Sequence, residues 1–151
     1  MGLIRDRAAA VDLVLPPAPK PAGLSVPLWY GAGRWRTSGI LSMDNGSVIT
    51  GRAGAVTTEV AAHAARTALL NALAIVDAYL PAPEAETLCL THLCGYVSAE
   101  SGFAQGHLVM NAASEVVREI LGQAGAHTRE AIHVIGLPLG ALVELRIEGV
   151  Y

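Results

Sequence analysis

Hydrophobic positions recur along the chain with two different spacings. From Thr57 onward, Ala61, Ala65, Ala68, Leu69, Ala72, Leu73 and Val76 follow helical intervals and line one face of an α-helix, with Thr57 and Thr58 available as caps. Pro81 and Pro83 end it. A second stripe, Val109, Met110, Ala113, Val116, Val117, Ile120 and Leu121, predicts a helix over about 105–121, with Gly122 as its stop. The other segments are short and strand-like: 26–30, 34–38, 41–43 and 47–50, a long run over 87–97, and two more near 131–135 and 142–150. Asn45-Gly46 is a tight-turn signal between two of them. At the N-terminus, Leu3, Ile4, Ala8, Val11 and Leu15 fall near one face of a short helix over 1–15. The Pro-rich run from Pro16 to Pro21 stops it and forms an extended connector.

The order of strands, helix, strand, helix, strands predicts an α+β domain in which two helices cover one face of a mixed sheet. The expected division is a helix and connector over 1–24 and a folded domain over 25–151. In the last strand Val143, Leu145 and Ile147 alternate with Glu144, Arg146 and Glu148, so the face away from the helices carries ionisable groups. Such a face is either solvated or pairs with another subunit.

A chain of 151 residues is long enough for one core but short for two. Although 52% of residues are hydrophobic, there is one Phe and there are two Trp, so Ala, Val, Leu and Ile must build that core. The net charge is −3 and Lys20 is the only lysine, which leaves no broad basic surface for phosphate contacts and disfavours nucleic acid as a partner. Cys89 and Cys94 lie five apart in a strand-like run, and strict alternation would send them to opposite faces. Two reduced thiols are therefore expected, in keeping with the cytoplasm. No secretory signal or membrane span is visible, and Asp6 occupies the position where a myristoylation pattern needs Ser or Thr.

Arg129 is the first candidate for chemistry, because a guanidinium can grip a carboxylate through two charge-assisted hydrogen bonds. Its plain structural alternative is a bridge from a loop to a helix end. Glu144, on the less apolar side of its strand, can orient or activate water; its alternative is a salt bridge to Arg146 or to a neighbouring subunit. Gly39 suits a point where the main chain comes close to a ligand. Gly31-Ala32-Gly33 is a turn rather than a phosphate loop, since no GxxxxGK or GxGxxG helix follows. His63, His92, His107, His127 and His133 form no HExxH or Cys/His cluster, so no metal is expected.

His127-Thr128-Arg129, seven residues, Leu137-Pro138, then Glu144 six residues beyond the Pro, resembles the C-terminal signature of the RidA/YjgF family, also called L-PSP. The resemblance spans about 26–150, and the segment from Gly102 to Ser114 is closest to a less characterised subgroup of about this length. It implies a chorismate-mutase-like fold, a homotrimer and sites in the clefts between subunits. Arg129 then takes the role of the substrate-carboxylate arginine, and Glu144 that of the glutamate that positions the hydrolytic water. Thr37-Ser38-Gly39 matches the family's T-S-G-Q, with Ser38 and Gly39 near the substrate and Ile40 replacing the Gln, which makes the expected site more apolar. Asn111 matches the family's helix Asn, Tyr30 or Trp29 its entrance tyrosine, and Ala131 stands where many members have Cys.

The function this resemblance implies is cofactor-free hydrolysis of small 2-imino or enamino acids to 2-keto acids and ammonia. A non-catalytic module that binds a metabolite carboxylate through Arg129 is the alternative. The third reading is the ribonuclease or translation-inhibitor activity of the family's older names, with Trp29, Arg34, Trp35 and Arg36 as the one patch able to stack on a base.

Overall fold

A computed structural model describes residues 2–20 and 23–151. In chain order its elements are α1 (Leu3–Ala9), β1 (Leu28–Gly31), β2 (Arg34–Thr37), β3 (Ile40–Leu41), β4 (Met43–Asp44), β5 (Ser47–Val48), α2 (Thr58–Tyr79), α3 (Ala82–Glu86), β6 (Cys89–Ser98), α4 (Gly106–Leu121), β7 (Thr128–Val134) and β8 (Val143–Val150). The main sheet runs β1-β2-β8-β6-β7, with β3 pairing to β8 beyond the end of β2. Among the strand pairs of the described residues only β6–β7 is parallel, and α4 provides the crossover that a parallel pair requires. β4 and β5 form a separate hairpin whose turn residues Asn45 and Gly46 have φ of 48° and 83°, the left-handed geometry expected of Asn-Gly.

The core lies between the sheet and α2 with α4. All seven predicted stripe positions of α2 are buried, as are all seven of α4. Small residues on α2, including Ala64, Ala65 and Ala68 at 0% exposure, allow its backbone to approach both α4 and the sheet. The Thr57 hydroxyl caps α2 by accepting from the Val60 N–H at 3.3 Å. Gly122, with φ of 56°, ends α4. On the sheet, Trp35 lies over Gly149, where a Cβ would collide with its ring.

The N-terminal helix is shorter than the periodicity predicts. It stops at Ala9 because the chain turns at Asp12, φ 58°, before the prolines are reached, and this leaves Val11 exposed. Ile4, Ala8 and Leu15 are nevertheless buried in the same core as α2 and α4. The Asp77 carboxylate of α2 accepts from the N–H groups of Ile4 and Arg5 at 2.9 and 3.1 Å, so one helix supplies the missing cap of another. The Arg5 guanidinium then donates to the carbonyls of Leu15 and Pro16. Pro21, in the predicted connector, lies outside the described residues.

Strict alternation also fails in β6. A register shift between Leu90 and His92 keeps both Leu90 and Leu93 in the core, although they are three apart. The bulge reverses the parity of all that precedes it. Cys89 pairs with Val150 and Cys94 with Arg146, so the two cysteines share the face away from the helices instead of lying on opposite faces. Five residues of strand, about 16 Å, still separate them, and both are free thiols. Strand β7 begins at Thr128, three residues earlier than expected, because its pairing with β6 already starts at His92.

Candidate functional site

Two groups of polar residues stand on opposite faces of the sheet. Register places Glu144 beside Tyr96 and Leu41, Arg146 beside Cys94, and Glu148 beside His92, all on the face away from α2 and α4. Glu130 and Ile132 of β7 continue the same rows. His92 joins two of them, with Nε2 at 2.5 Å from the Glu130 carboxylate and Nδ1 at 2.7 Å from the Thr128 hydroxyl.

Glu144 is held at a break in the sheet. β2 and β3 both pair with β8, but Arg36 to Ile40 is four steps where Glu148 to Leu145 is three, so Thr37-Ser38-Gly39 bulges. The buried Thr37 hydroxyl bridges the gap, accepting from the Ile147 N–H at 3.1 Å and donating to its carbonyl at 3.4 Å. Ser38 ties the outgoing chain by donating to the Val26 carbonyl at 2.7 Å. Gly39 then passes so close to Glu144 that a Cβ would strike the carboxylate itself. Burial of that carboxyl raises its pKa above the ordinary glutamate value. Glu144 is not the salt-bridge partner of Arg146, which instead lies 3.7 Å from Glu148. The Tyr96 phenol beside it is pushed above its usual value mainly by the neighbouring Cys94 side chain.

Arg129 is on the other face. Its register partner is the core residue Leu93, so its side chain passes over the edge of the sheet toward α4. There Nη1 donates to the Ser114 hydroxyl at 2.9 Å, while Nη2 donates to the His107 carbonyl and the Asn111 amide oxygen, both at 3.1 Å. Arg129 thus bridges a strand to a helix, rather than a loop to a helix end, and this fixes the guanidinium at an open groove of about 710 Å³ that Ser114, Arg118, His127 and Arg129 help to line. Among the described residues no carboxylate pairs with Arg129 or Arg118. That leaves two cations available to an anion.

The fold is shared with solved structures. Atu1372 of Agrobacterium tumefaciens, a protein of unknown function, is 31% identical, with 98% of this chain and 92% of that one covered and a TM-score of 0.87. YjgF of Escherichia coli is 22% identical over 88% of this chain and 92% of its own, with a TM-score of 0.63. TdcF of E. coli, solved with bound serine, is 19% identical over 89% and 93%, with a TM-score of 0.64. No family model matches this sequence, and neither does any curated protein sequence. The chain belongs to the RidA/YjgF family.

Within this RidA/YjgF chain the predicted site residues fall into three places. Arg129 and Asn111 meet directly, as do Glu144 and Gly39, with Ser38 beside the latter. Tyr30 meets neither pair: it is exposed on β1, an outer strand of the sheet, whereas Arg129 is on β7 at the opposite edge. Ile40 corrects one expectation. It pairs with the core residue Leu145 and is itself in the core cluster, so its apolar character serves packing against the helices and does not line the Glu144 face. Among the described residues, no three His, Cys, Asp or Glu side chains come together as a metal set, and no helix is long and apolar enough to cross a membrane.

Sequence reading assigned no role to Ser114 or Arg118, and His127 entered only as the first residue of the C-terminal motif and as one of five unclustered histidines. Asn111, Ser114 and Arg118 recur at intervals of three and four on α4, a polar row that marks one helix face. The row has meaning only once β7 brings Arg129 and His127 against it.

Proposed function

We propose that the protein hydrolyses small 2-imino or enamino acids to 2-keto acids and ammonia, in clefts between the subunits of a homotrimer. The observation that carries this reading is the Glu144 carboxyl, half-buried against a glycine that leaves room for nothing larger and raised in pKa by that burial. A carboxyl poised nearer neutrality exchanges protons with water and with an imine nitrogen more readily than an exposed one. Arg129 contributes the carboxylate clamp, with its guanidinium oriented in advance by Ser114, Asn111 and His107. The bound serine of TdcF supports the substrate class, because an amino acid carries the same carboxylate beside a nitrogen-bearing carbon.

One subunit cannot bring the two groups to one substrate. Arg129 and Glu144 lie two strand spacings apart across the sheet and three residues apart along it, about 14 Å in all, and on opposite faces. A contact that lays the β7 edge of one copy against the β3–β8 face of the next joins unlike patches, and such a heterologous contact closes into a trimer when each copy is turned by a third of a full rotation. In the resulting cleft Glu144 takes a proton from water as the oxygen attacks C2 of the imine. It returns that proton to nitrogen to give the tetrahedral carbinolamine, then carries the hydroxyl proton to the amino group in the same way, and ammonia departs as the ketone forms.

The test is ketoacid production from imines generated by an amino-acid oxidase, with semicarbazide competing for the imine. Wild type is expected to speed the reaction, and Arg129→Ala and Glu144→Gln to abolish the gain. No acceleration across a panel of side chains would leave a carboxylate-binding module, read by ligand-induced thermal shifts. Light scattering that gives a stable monomer would remove the shared cleft.

A further inference from the structure

The imine reading uses Ser114 only as an acceptor that orients Arg129, and leaves unexplained the hydrogen bond between Ser114 and His127. The Ser114 hydroxyl lies 2.9 Å from His127 Nε2, and His127 Nδ1 lies 2.6 Å from the Gly125 carbonyl. A carbonyl only accepts, so Nδ1 carries the proton, and in the neutral ring Nε2 is left as an acceptor facing the serine. The hydroxyl must then donate to His127, because its other contact, Arg129 Nη1 at 2.9 Å, is itself a donor. A nucleophile, a base within reach of its proton and a third group that sets the base's tautomer are the elements of an activated serine.

The surroundings extend the pattern. Ser114 is half-buried at the wall of the 710 Å³ groove, and Arg118 lies one helical turn further along α4 on the same side. Arg129, donating to the serine oxygen, lowers the cost of negative charge developing there. Arg118 is exposed, and no carboxylate among the described residues pairs with it. The Gly122–Gly125 turn that presents the Gly125 carbonyl also lines the groove.

We infer that Ser114 and His127 constitute a second, hydrolytic centre that cleaves esters of small acids bearing an anionic group. Ser114 Oγ bonds to the acyl carbon while its proton passes to His127 Nε2, and the tetrahedral oxyanion forms beside Arg129. The bond to the alkoxy oxygen then breaks, with the Nε2 proton going to the departing alcohol. Water adds to the acyl-serine by the same route, its proton passing to Nε2 and then back to Ser114 as the acid leaves, so ester and water give acid and alcohol. Arg118 selects the anionic end of the acyl group.

The centre is tested by treating the full chain with diisopropyl fluorophosphate, mapping the adduct by mass spectrometry, and following hydrolysis of p-nitrophenyl succinate against p-nitrophenyl acetate. Expected are one adduct on Ser114, its loss in Ser114→Ala, and a fall of about a hundredfold in labelling and hydrolysis in His127→Gln, the effect of removing a general base. Arg118→Ala is expected to erase a preference for succinate over acetate. No adduct on Ser114 under excess reagent overturns the inference, and so does labelling of His127→Gln at the wild-type rate. Mapping on wild type and the exposed Arg118→Ala variant keep the test decisive even if Ser114→Ala fails to fold. Ketoacid formation, measured on the same samples, reports the Glu144 chemistry separately.

Discussion

Arg129 and Glu144 stand on opposite faces of the same sheet, and their neighbourhoods are built by different means. Around Arg129 the groove is open and the side chain is directed by three hydrogen bonds, one of them to backbone. Around Glu144 the restraint is steric: a bulged strand, a glycine without a Cβ and partial burial define the place, and among the described residues no hydrogen bond fixes the carboxylate. The first arrangement suits recognition, which needs a fixed charge of constant sign. The second suits proton transfer, which needs a group whose charge can change.

Arg129→Ala is expected to have the largest effect. Loss of two charge-assisted hydrogen bonds to a substrate carboxylate, about 1.5–3 kcal/mol each, lowers kcat/KM for imine hydrolysis by at least about a hundredfold. Arg129→Lys is expected to recover little of it, since an ammonium cannot reproduce the fork. A lysine variant with full activity would mean that only charge matters at this face. For Glu144→Gln the expectation is a kcat lower by about a hundredfold with KM nearly unchanged. Should KM rise instead and kcat hold, Glu144 would be a binding residue and the contrast between the two faces would disappear.

Gly39→Ala sharpens the comparison at a finer scale. The new methyl group displaces the flexible end of Glu144 and leaves the core untouched, so kcat should fall about tenfold, while the melting temperature changes by only a few degrees. The matching change on the other face, Asn111→Ala, removes one of the three acceptors that direct Arg129 and is expected to raise KM. Unfolding of Gly39→Ala would show that the bulge itself depends on glycine.

The smallest effect concerns pH. Because the folded state holds the Glu144 proton more tightly than the unfolded chain does, this group's contribution to stability is fully present below the ordinary glutamate pKa of about 4.3. It is lost as pH rises through the raised folded value. Glu144→Gln, which stays neutral, should therefore gain on wild type in melting temperature across that interval. Parallel melting curves at every pH would mean that the carboxyl is not desolvated in solution.

The sequence alone determined both long helices with their buried stripes, the Asn-Gly hairpin and the α+β order. Each depends on spacing within a segment or on a motif, and helical periodicity is a local property of the chain. Tertiary structure decided what depends on parity and approach. The bulge near Thr91 put Cys89 and Cys94 on one face, the Asp12 turn cut α1 short, and Ile40 was drawn into the core by its pairing with Leu145. It also separated Arg129 from Glu144, and it placed Ser114 against His127 across thirteen residues of sequence. A single extra residue in a strand reverses the side chains on one side of it, and a contact between helix and strand follows from packing; neither leaves a periodic trace that can be read along the chain.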